Sequence, residues 1–332
     1  MLINIPIESL EERYSAQWNT WFPDAFASLN YISIYPDKLT YPKIRFGEFL
    51  DVIGSNQFKC AQMQTLLAHF NEGAVKDGDI LFFHDLWFPG LETFFYVRDA
   101  LGIKFKIVGC LHAGTWDPWD YLSQKGMTRW AADIERNWLQ EIDLVFTATQ
   151  FHKDLITLER GGDRLYDKIV VTGFPIFEVE SPQVEKENIV VFPHRLAREK
   201  APEAFDYLHE VLRDEMPDWQ FLKTKEVTKT KVEYYALLRK AKIAVSTAKQ
   251  ETWGIAQQEA VLAGCIPVVP NRLSYVEMYP SHYRYKDLEG AANLIRQYMC
   301  GSDLRSLQQR ILFNGEGAIP NMLAEMDRRF GL

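Results

Sequence analysis

The run Ile243-Ala-Val-Ser-Thr-Ala-Lys-Gln-Glu251-Thr-Trp-Gly254-Ile-Ala-Gln-Gln-Glu259-Ala-Val-Leu-Ala-Gly264-Cys-Ile-Pro267 decides the fold. It opens on a short apolar stretch ending in small hydroxyl residues and passes through a loop carrying Glu251 and Gly254. It continues as a helical pattern carrying Glu259, then as a second apolar stretch over residues 266–269. Short buried runs alternating with amphipathic ones are the mark of a parallel sheet covered by helices. Gly254, just ahead of the helix, lets the backbone approach a ligand closely. The amides near Ile255 and Ala256, at the positive helix end, suit a diphosphate or the sugar beside it. Glu259, about one turn in, is placed to accept from both hydroxyls of a ribose, and Glu251 from a hydroxyl of a second sugar, the one carried on the diphosphate. Charged acceptors make the stronger hydrogen bonds. The competing reading is a surface pair of glutamates beside an ordinary buried helix.

Outward from this run the same alternation covers the chain. The first half predicts strands over residues 3–7, 31–35, 80–84, 105–111, 144–147 and 169–172, with helices at 127–141 and 151–160. The second half predicts strands over 189–192, 219–223, 243–246 and 266–269, with helices at 204–215, 231–242, 255–263 and 288–298. A chain of 332 residues exceeds the size at which one core stops growing, so two domains are expected. Residues 174–188 hold two prolines and a polar run and read as the hinge. The expected division is an acceptor-binding domain at 1–176, a linker at 177–187, a donor domain at 188–306 and C-terminal helices at 307–332 packing back on the first domain. The architecture is α/β, two Rossmann-like doubly wound domains facing a cleft, with ligands at the carboxyl ends of the strands.

A second segment carries chemistry: Ile189-Val-Val-Phe-Pro-His194-Arg195-Leu-Ala-Arg198-Glu-Lys200-Ala-Pro, a strand running into a loop ahead of a helix. Arg195 and Lys200 sit where both can reach one diphosphate. Two fixed cations stabilise the charge left on a departing nucleoside diphosphate without a metal. Solvated helix-start charges are the alternative, and Arg198 reads as one. The segment after Phe221-Leu-Lys-Thr224 reads as a loop flanking the base, with Thr224 at the donor.

Arg195 and Lys200 followed by Glu251 and Glu259 resemble the Arg/Lys pair and Glu-x7-Glu motif of retaining family 4 glycosyltransferases, over residues 186–300. Phe192-Pro-His-Arg195, Val245-Ser-Thr-Ala-Lys249 and Ala260-Val-Leu-Ala-Gly-Cys265, with Pro270-Asn-Arg-Leu-Ser-Tyr275, are similar to the branch that mannosylates queuosine, a modified base of tRNA. The resemblance implies a GT-B fold, retention of configuration, a UDP- or GDP-linked sugar donor and no obligatory metal. It gives Arg195, Lys200 and Glu251 catalytic roles. It makes Glu259, Gly254, Ile255 and Ala256 donor contacts. His112, in Val108-Gly-Cys-Leu-His-Ala-Gly-Thr115, matches the family histidine that supports developing positive charge at the sugar; a satisfied core histidine is the alternative. Thr149 stands where the family often has Ser or Thr, and also suits a plain helix cap. Gly173 fits the family's interdomain turn. The chain departs from the pattern after its first strand: residues 5–18 contain no glycine, so Arg13 is the candidate that replaces backbone amides at the phosphate.

The acceptor side is vaguer. Tryptophans beside carboxylates in His112-Ala-Gly-Thr-Trp116-Asp117-Pro-Trp119-Asp120-Tyr121 suit a sugar ring or a stacked base. Trp116 and Trp119 are read as facing the cleft, with Asp117 or Asp120 holding the acceptor hydroxyl; Trp87 is read as core. The net charge of −8, with most of the excess before residue 175, argues against a protein that grips a phosphate backbone by bulk electrostatics. Even so, the resemblance makes a hydroxylated nucleobase in DNA or RNA the first acceptor, as in a phage-type enzyme that decorates DNA bases. Alternatives are a surface-glycan or small-molecule glycosyltransferase, a sugar-nucleotide epimerase, and a non-catalytic sugar-nucleotide-binding module. Cys60, Cys110, Cys265 and Cys300 form no CxxC pair, and apolar runs are strand-length. A reduced, metal-free, cytoplasmic protein with no membrane span is expected.

Overall fold

The computed structural model describes residues 1–10, 13–36, 50–177, 184–301 and 315–332. The chain forms two compact units, Met1–Pro175 with Gly317–Leu332, and Ile176–Glu316. Residues 307–314 of the expected C-terminal helices and residues 178–183 of the expected linker lie outside the described residues.

The first unit is built on strands β1 (Leu2–Ile5), β2 (Tyr31–Ser33), β3 (Ile80–Phe83), β4 (Lys106–Cys110), β5 (Leu144–Thr147) and β6 (Ile169–Val171). They pair in the order β2-β1-β3-β4-β5-β6, all parallel. Leu-Ile-Asn-Ile, Ile-Leu-Phe-Phe and Leu-Val-Phe-Thr are buried at every position, as strands covered on both faces must be. Gly109 is required where β4 passes β3, because a Cβ there would stand 2.2 Å from the Phe83 carbonyl oxygen. The core gathers Ile3, Leu81, Phe83, Phe94, Ile107 and Val145. The final helix, Ala318–Phe330, belongs to this unit and buries Ile319, Met322 and Met326; Met322 Sδ lies 4.0 Å from Cys110 Sγ.

The second unit holds β7 (Glu187–Phe192), β8 (Gln220–Lys223), β9 (Ala241–Val245), β10 (Ile266–Pro270) and β11 (Arg284–Tyr285) in the order β8-β7-β9-β10-β11, again all parallel. Both sheets therefore put their first strand between the second and the third. The order reverses there, and open α/β sheets bind ligands in the crevice at the carboxyl ends of the two strands flanking that point. In the second unit those strands are β7 and β9, in the first β1 and β3.

Local chemistry sets the element ends. Thr149 caps the helix Gln150–Arg160, accepting from the His152 amide at 3.3 Å. Thr230 and Glu233 form a capping box at the start of Lys231–Lys240. That helix ends two residues before the predicted 242, because Ala241 already begins β9 with no connecting residue. Three helices that pattern reading did not resolve are Tyr14–Phe26, Val52–Asn71 and Glu92–Leu101. Pro23 sits inside the first of them and disguises it. The two-residue β11 is too short to leave a periodic signal.

Candidate active site

At the carboxyl ends of β7 and β9 two loops meet. Lys200, in the turn Arg198–Lys200 that precedes the helix Pro202–Leu212, is buried. Its ammonium donates to Glu251 Oε2 at 3.0 Å, to the Gln250 carbonyl at 2.6 Å and to Gln250 Oε1 at 3.3 Å. Glu251 Oε1 turns inward and accepts from the amides of Thr252 and Trp253, at 3.1 and 3.4 Å. Burial by itself raises a carboxyl. Here the Lys200 charge, the neighbouring His194 and hydrogen bonds from Lys200 and the Gly254 amide outweigh it, and Glu251 falls to about 2. Gly254 takes the left-handed conformation (φ 68°, ψ 43°), where a side chain would be strained. It opens the helix Ile255–Leu262 with no side-chain cap, and Ile255 and Ala256 are half-buried at that end. Arg195 is half-exposed and donates through Nε to Glu199 at 2.7 Å; Arg198 is exposed. His194, next to Arg195, was not singled out by sequence reasoning. It is 3% exposed, and burial, the Lys200 charge and the Arg195 charge hold it neutral at about 3 against the opposing pull of Glu251.

Glu259 is buried and its carboxylate is already engaged. Oε1 accepts from Lys231 Nζ at 2.8 Å and Tyr235 OH at 2.7 Å, and Oε2 from Tyr234 OH at 2.9 Å. The motif residue thus ties its helix to Lys231–Lys240, three partners that lay outside the motif. Thr224 does not open a loop: β8 runs straight into the short helix Thr224–Val227, and the buried Thr224 hydroxyl donates to the Phe192 carbonyl at 3.3 Å.

In the first unit His112 follows β4. Its Nε2 lies 2.8 Å from the His84 carbonyl, which fixes the proton on that nitrogen, so Nδ1 accepts from Tyr14 OH at 3.2 Å. The ring is packed by Tyr14, Trp18 and Phe174, with centroids 5.4, 5.0 and 4.7 Å away. Burial, with help from Lys59, lowers its pKa against the opposing pull of Asp85 and the His84 hydrogen bond. The ring's polar atoms are committed within the unit. Arg13 is the half-buried residue ahead of Tyr14–Phe26, in the connection after β1.

The loop after His112 overturns part of the acceptor expectation. Trp116 is 4% exposed and belongs to the core, its indole nitrogen 3.2 Å from His152 Nε2 and the Arg160 guanidinium 5.7 Å from its ring centroid. The reason is a buried ion pair that sequence reading missed. Glu135 Oε2 accepts from Arg160 Nε at 2.8 Å and Thr115 Oγ1 at 2.6 Å, while Oε1 accepts from the Thr115 amide and Trp87 Nε1. Asp117 and Asp120 are also buried and act locally, accepting from the Trp119 amide at 2.8 Å and the Leu122 amide at 3.0 Å. Burial raises Asp120 to about 7, with Asp117 and Glu135 adding to the rise and the Leu122 and Tyr121 amides opposing it. Trp119 is half-buried. Among the described residues no group of three His, Cys, Asp or Glu side chains is placed to hold a metal ion. None of the described helices is long and apolar enough to cross a membrane.

No family model matches the chain. Over 87 residues, 26% of its length, it is 34% identical to the tRNA-queuosine alpha-mannosyltransferase of Drosophila melanogaster, spanning 21% of that protein. The structure of sucrose-phosphate synthase from Thermosynechococcus elongatus is similar with a TM-score of 0.63 at 12% identity, covering 100% of this chain and 97% of that one. TarM of S. aureus, solved with fondaparinux, alpha-GlcNAc-glycerol and UDP, gives a TM-score of 0.52 at 13% identity; the match covers 80% of this chain and 56% of that one. These likenesses establish the fold: an α/β chain of two parallel-sheet, Rossmann-like units, as in GT-B glycosyltransferases.

Proposed function

We propose that the chain is a glycosyltransferase that moves a sugar from a nucleoside diphosphate to an acceptor hydroxyl with retention of configuration. The observation that carries the reading is the buried Lys200–Glu251 pair beside the uncapped, glycine-led helix Ile255–Leu262, at the strand ends where the second sheet reverses order. Lys200 is held in place before any ligand arrives, so its charge needs no reorganisation when the diphosphate departs. Arg195 exchanges Glu199 for a phosphate. Glu251, ionised at neutral pH, takes a hydroxyl of the transferred sugar. The sugar's anomeric carbon loses its bond to the phosphate oxygen and gains one to the acceptor oxygen on the same face. The acceptor's proton passes to the departing phosphate. Glu259, with three of its roughly four acceptor positions filled, takes one ribose hydroxyl directly, or two if Lys231 yields its place.

The favoured acceptor is a hydroxyl on a modified nucleobase. Its support is the 87-residue similarity to a tRNA-queuosine mannosyltransferase. The test has two stages. Thermal unfolding with UDP, GDP and their sugar conjugates identifies the carrier, since a ligand at a hundred times its Kd adds about 2.7 kcal/mol. Arg195→Ala and Glu259→Ala are the controls expected to lose the shift. The matching sugar donor is then incubated with modified tRNA and with hydroxymethylated DNA, and the digested nucleosides are analysed by mass. A glycosylated nucleoside establishes the acceptor. A donor that is consumed without one removes the nucleobase reading, and an epimerised donor with no acceptor present removes transfer itself.

A further inference from the structure

We propose that His194 is a further phosphate-contacting residue of this site, donating through Nε2 to an oxygen of the donor's sugar-linked phosphate; this rests on the donor-site reading above. Three observations converge on it. The residue lies two positions past the end of β7, directly before Arg195, on the strand that flanks the reversal point of the second sheet. Its imidazole is 3% exposed, edge-on to Phe192 with centroids 5.2 Å apart, and among the described residues Nε2 has no hydrogen-bond partner. The charges acting on the ring are those of Lys200, Glu251 and Arg195, the groups assigned to the leaving diphosphate and the sugar.

A buried nitrogen without a partner is costly, and such groups are uncommon in folded proteins. The loop on the other side of the reversal point repeats the feature: Trp253 Nε1, two residues after Glu251, is also buried and lacks a partner. An indole N–H can only donate. Each loop flanking the Lys200–Glu251 pair thus buries one ring nitrogen that a ligand acceptor atom would complete. A phosphate oxygen, which only accepts, fits the Nε2–H tautomer of a neutral imidazole. A neutral donor also suits the place electrostatically. Two cations already offset the charge of the diphosphate, and a third positive group would face their repulsion, whereas an N–H bond adds direction without charge.

The discriminating experiment is calorimetric titration of the full chain and of its His194→Phe and His194→Gln variants with UDP, GDP, UMP and GMP. The expected result is a loss of about tenfold or more in diphosphate affinity for His194→Phe, with monophosphate affinity changed by less than about threefold. His194→Gln, which places an amide N–H near the original Nε2, restores most of the loss. Equal weakening of mono- and diphosphates in His194→Phe assigns the residue a merely structural role and overturns the proposal, as does unchanged affinity for both. If the unmodified chain binds none of the four nucleotides, the donor-site reading fails, an outcome distinct from either. Should His194→Phe not fold, long-range 1H–15N spectra of the unmodified protein decide. A change in the His194 Nε2 resonance with the diphosphate and not with the monophosphate supports the contact, and no change overturns it.

Discussion

Replacing Lys200 by Met leaves the Glu251 carboxylate with its amide contacts and no opposite charge, in a place where both side chains are close to buried. Removing one partner of such a pair costs about 3–5 kcal/mol. The pH dependence separates this from a packing loss. Glu251 is lowered from 4.5 to about 2 in the folded chain, so its contribution to stability is present above about pH 4.5 and fades as pH falls towards 2. In Lys200→Met the carboxyl binds its proton at higher pH, which relieves the penalty. The free-energy gap between the two proteins, measured by urea unfolding, should therefore be widest near pH 7 and narrow as pH falls, from the point where the variant's carboxyl takes up its proton down to about 2. A gap that stays constant argues against the pair. In the first unit, Glu135→Gln strips the charge that Arg160 needs and should cost about 3 kcal/mol in the same measurement while leaving nucleotide affinity unchanged. Legibility differs between these two pairs. Lys200 and Glu251 stood out because each follows an apolar run and one precedes a glycine-led helix. Glu135 and Arg160 sit among ordinary helical charges, and only the packing of two helices against the Thr115 loop buries them. That is why Trp116, flanked by aspartate and proline, read as a cleft residue and proved to be core.

Among the elements, the helix Ile255–Leu262 carries the most specific requirement. Gly254 is in the left-handed region, and a Cβ there would meet Glu251 Cγ at 3.4 Å. Gly254→Ala should lower stability by about 1–2 kcal/mol in denaturant unfolding and weaken nucleotide binding as well, because the same turn aims the helix amides. Thr149→Ala is the contrast. Loss of that cap should cost about 1 kcal/mol with no effect on nucleotide affinity; a large affinity loss would show that Thr149 does more than cap. Elements with strong apolar runs were legible: β5 and β7 lie close to where the residues placed them. The helix Tyr14–Phe26 was not, since Pro23 interrupts a stretch that tertiary contacts nonetheless keep helical. Trp18, at its centre, is fully buried and donates to the Pro175 carbonyl at 3.1 Å. Contacts across 157 residues leave no trace in a local pattern.

At the scale of the whole molecule, the two units have separate cores, and the chain returns to the first one at its end. Scanning calorimetry should resolve two transitions. A nucleoside diphosphate should raise only the one belonging to Ile176–Glu316, where Lys200, Glu251 and Gly254 all lie. Removing residues 318–332 uncovers Cys110 and the sheet beneath Met322, so the other transition should fall in temperature while the nucleotide response persists. A single transition that moves as a whole under either change would mean the units do not melt independently.

The join between Lys240 and Ala241 has a mechanical meaning. With no residue between helix and strand, the angular position of Tyr234 and Tyr235 about their helix axis is locked to the register of β9. One inserted residue turns an α-helix by about 100°. Both hydroxyls would then swing away from Glu259, and the carboxylate would be left to the solvent or the ligand. The junction acts as a ratchet tooth with no play, through which strand pairing deep in the sheet sets what the motif glutamate can offer.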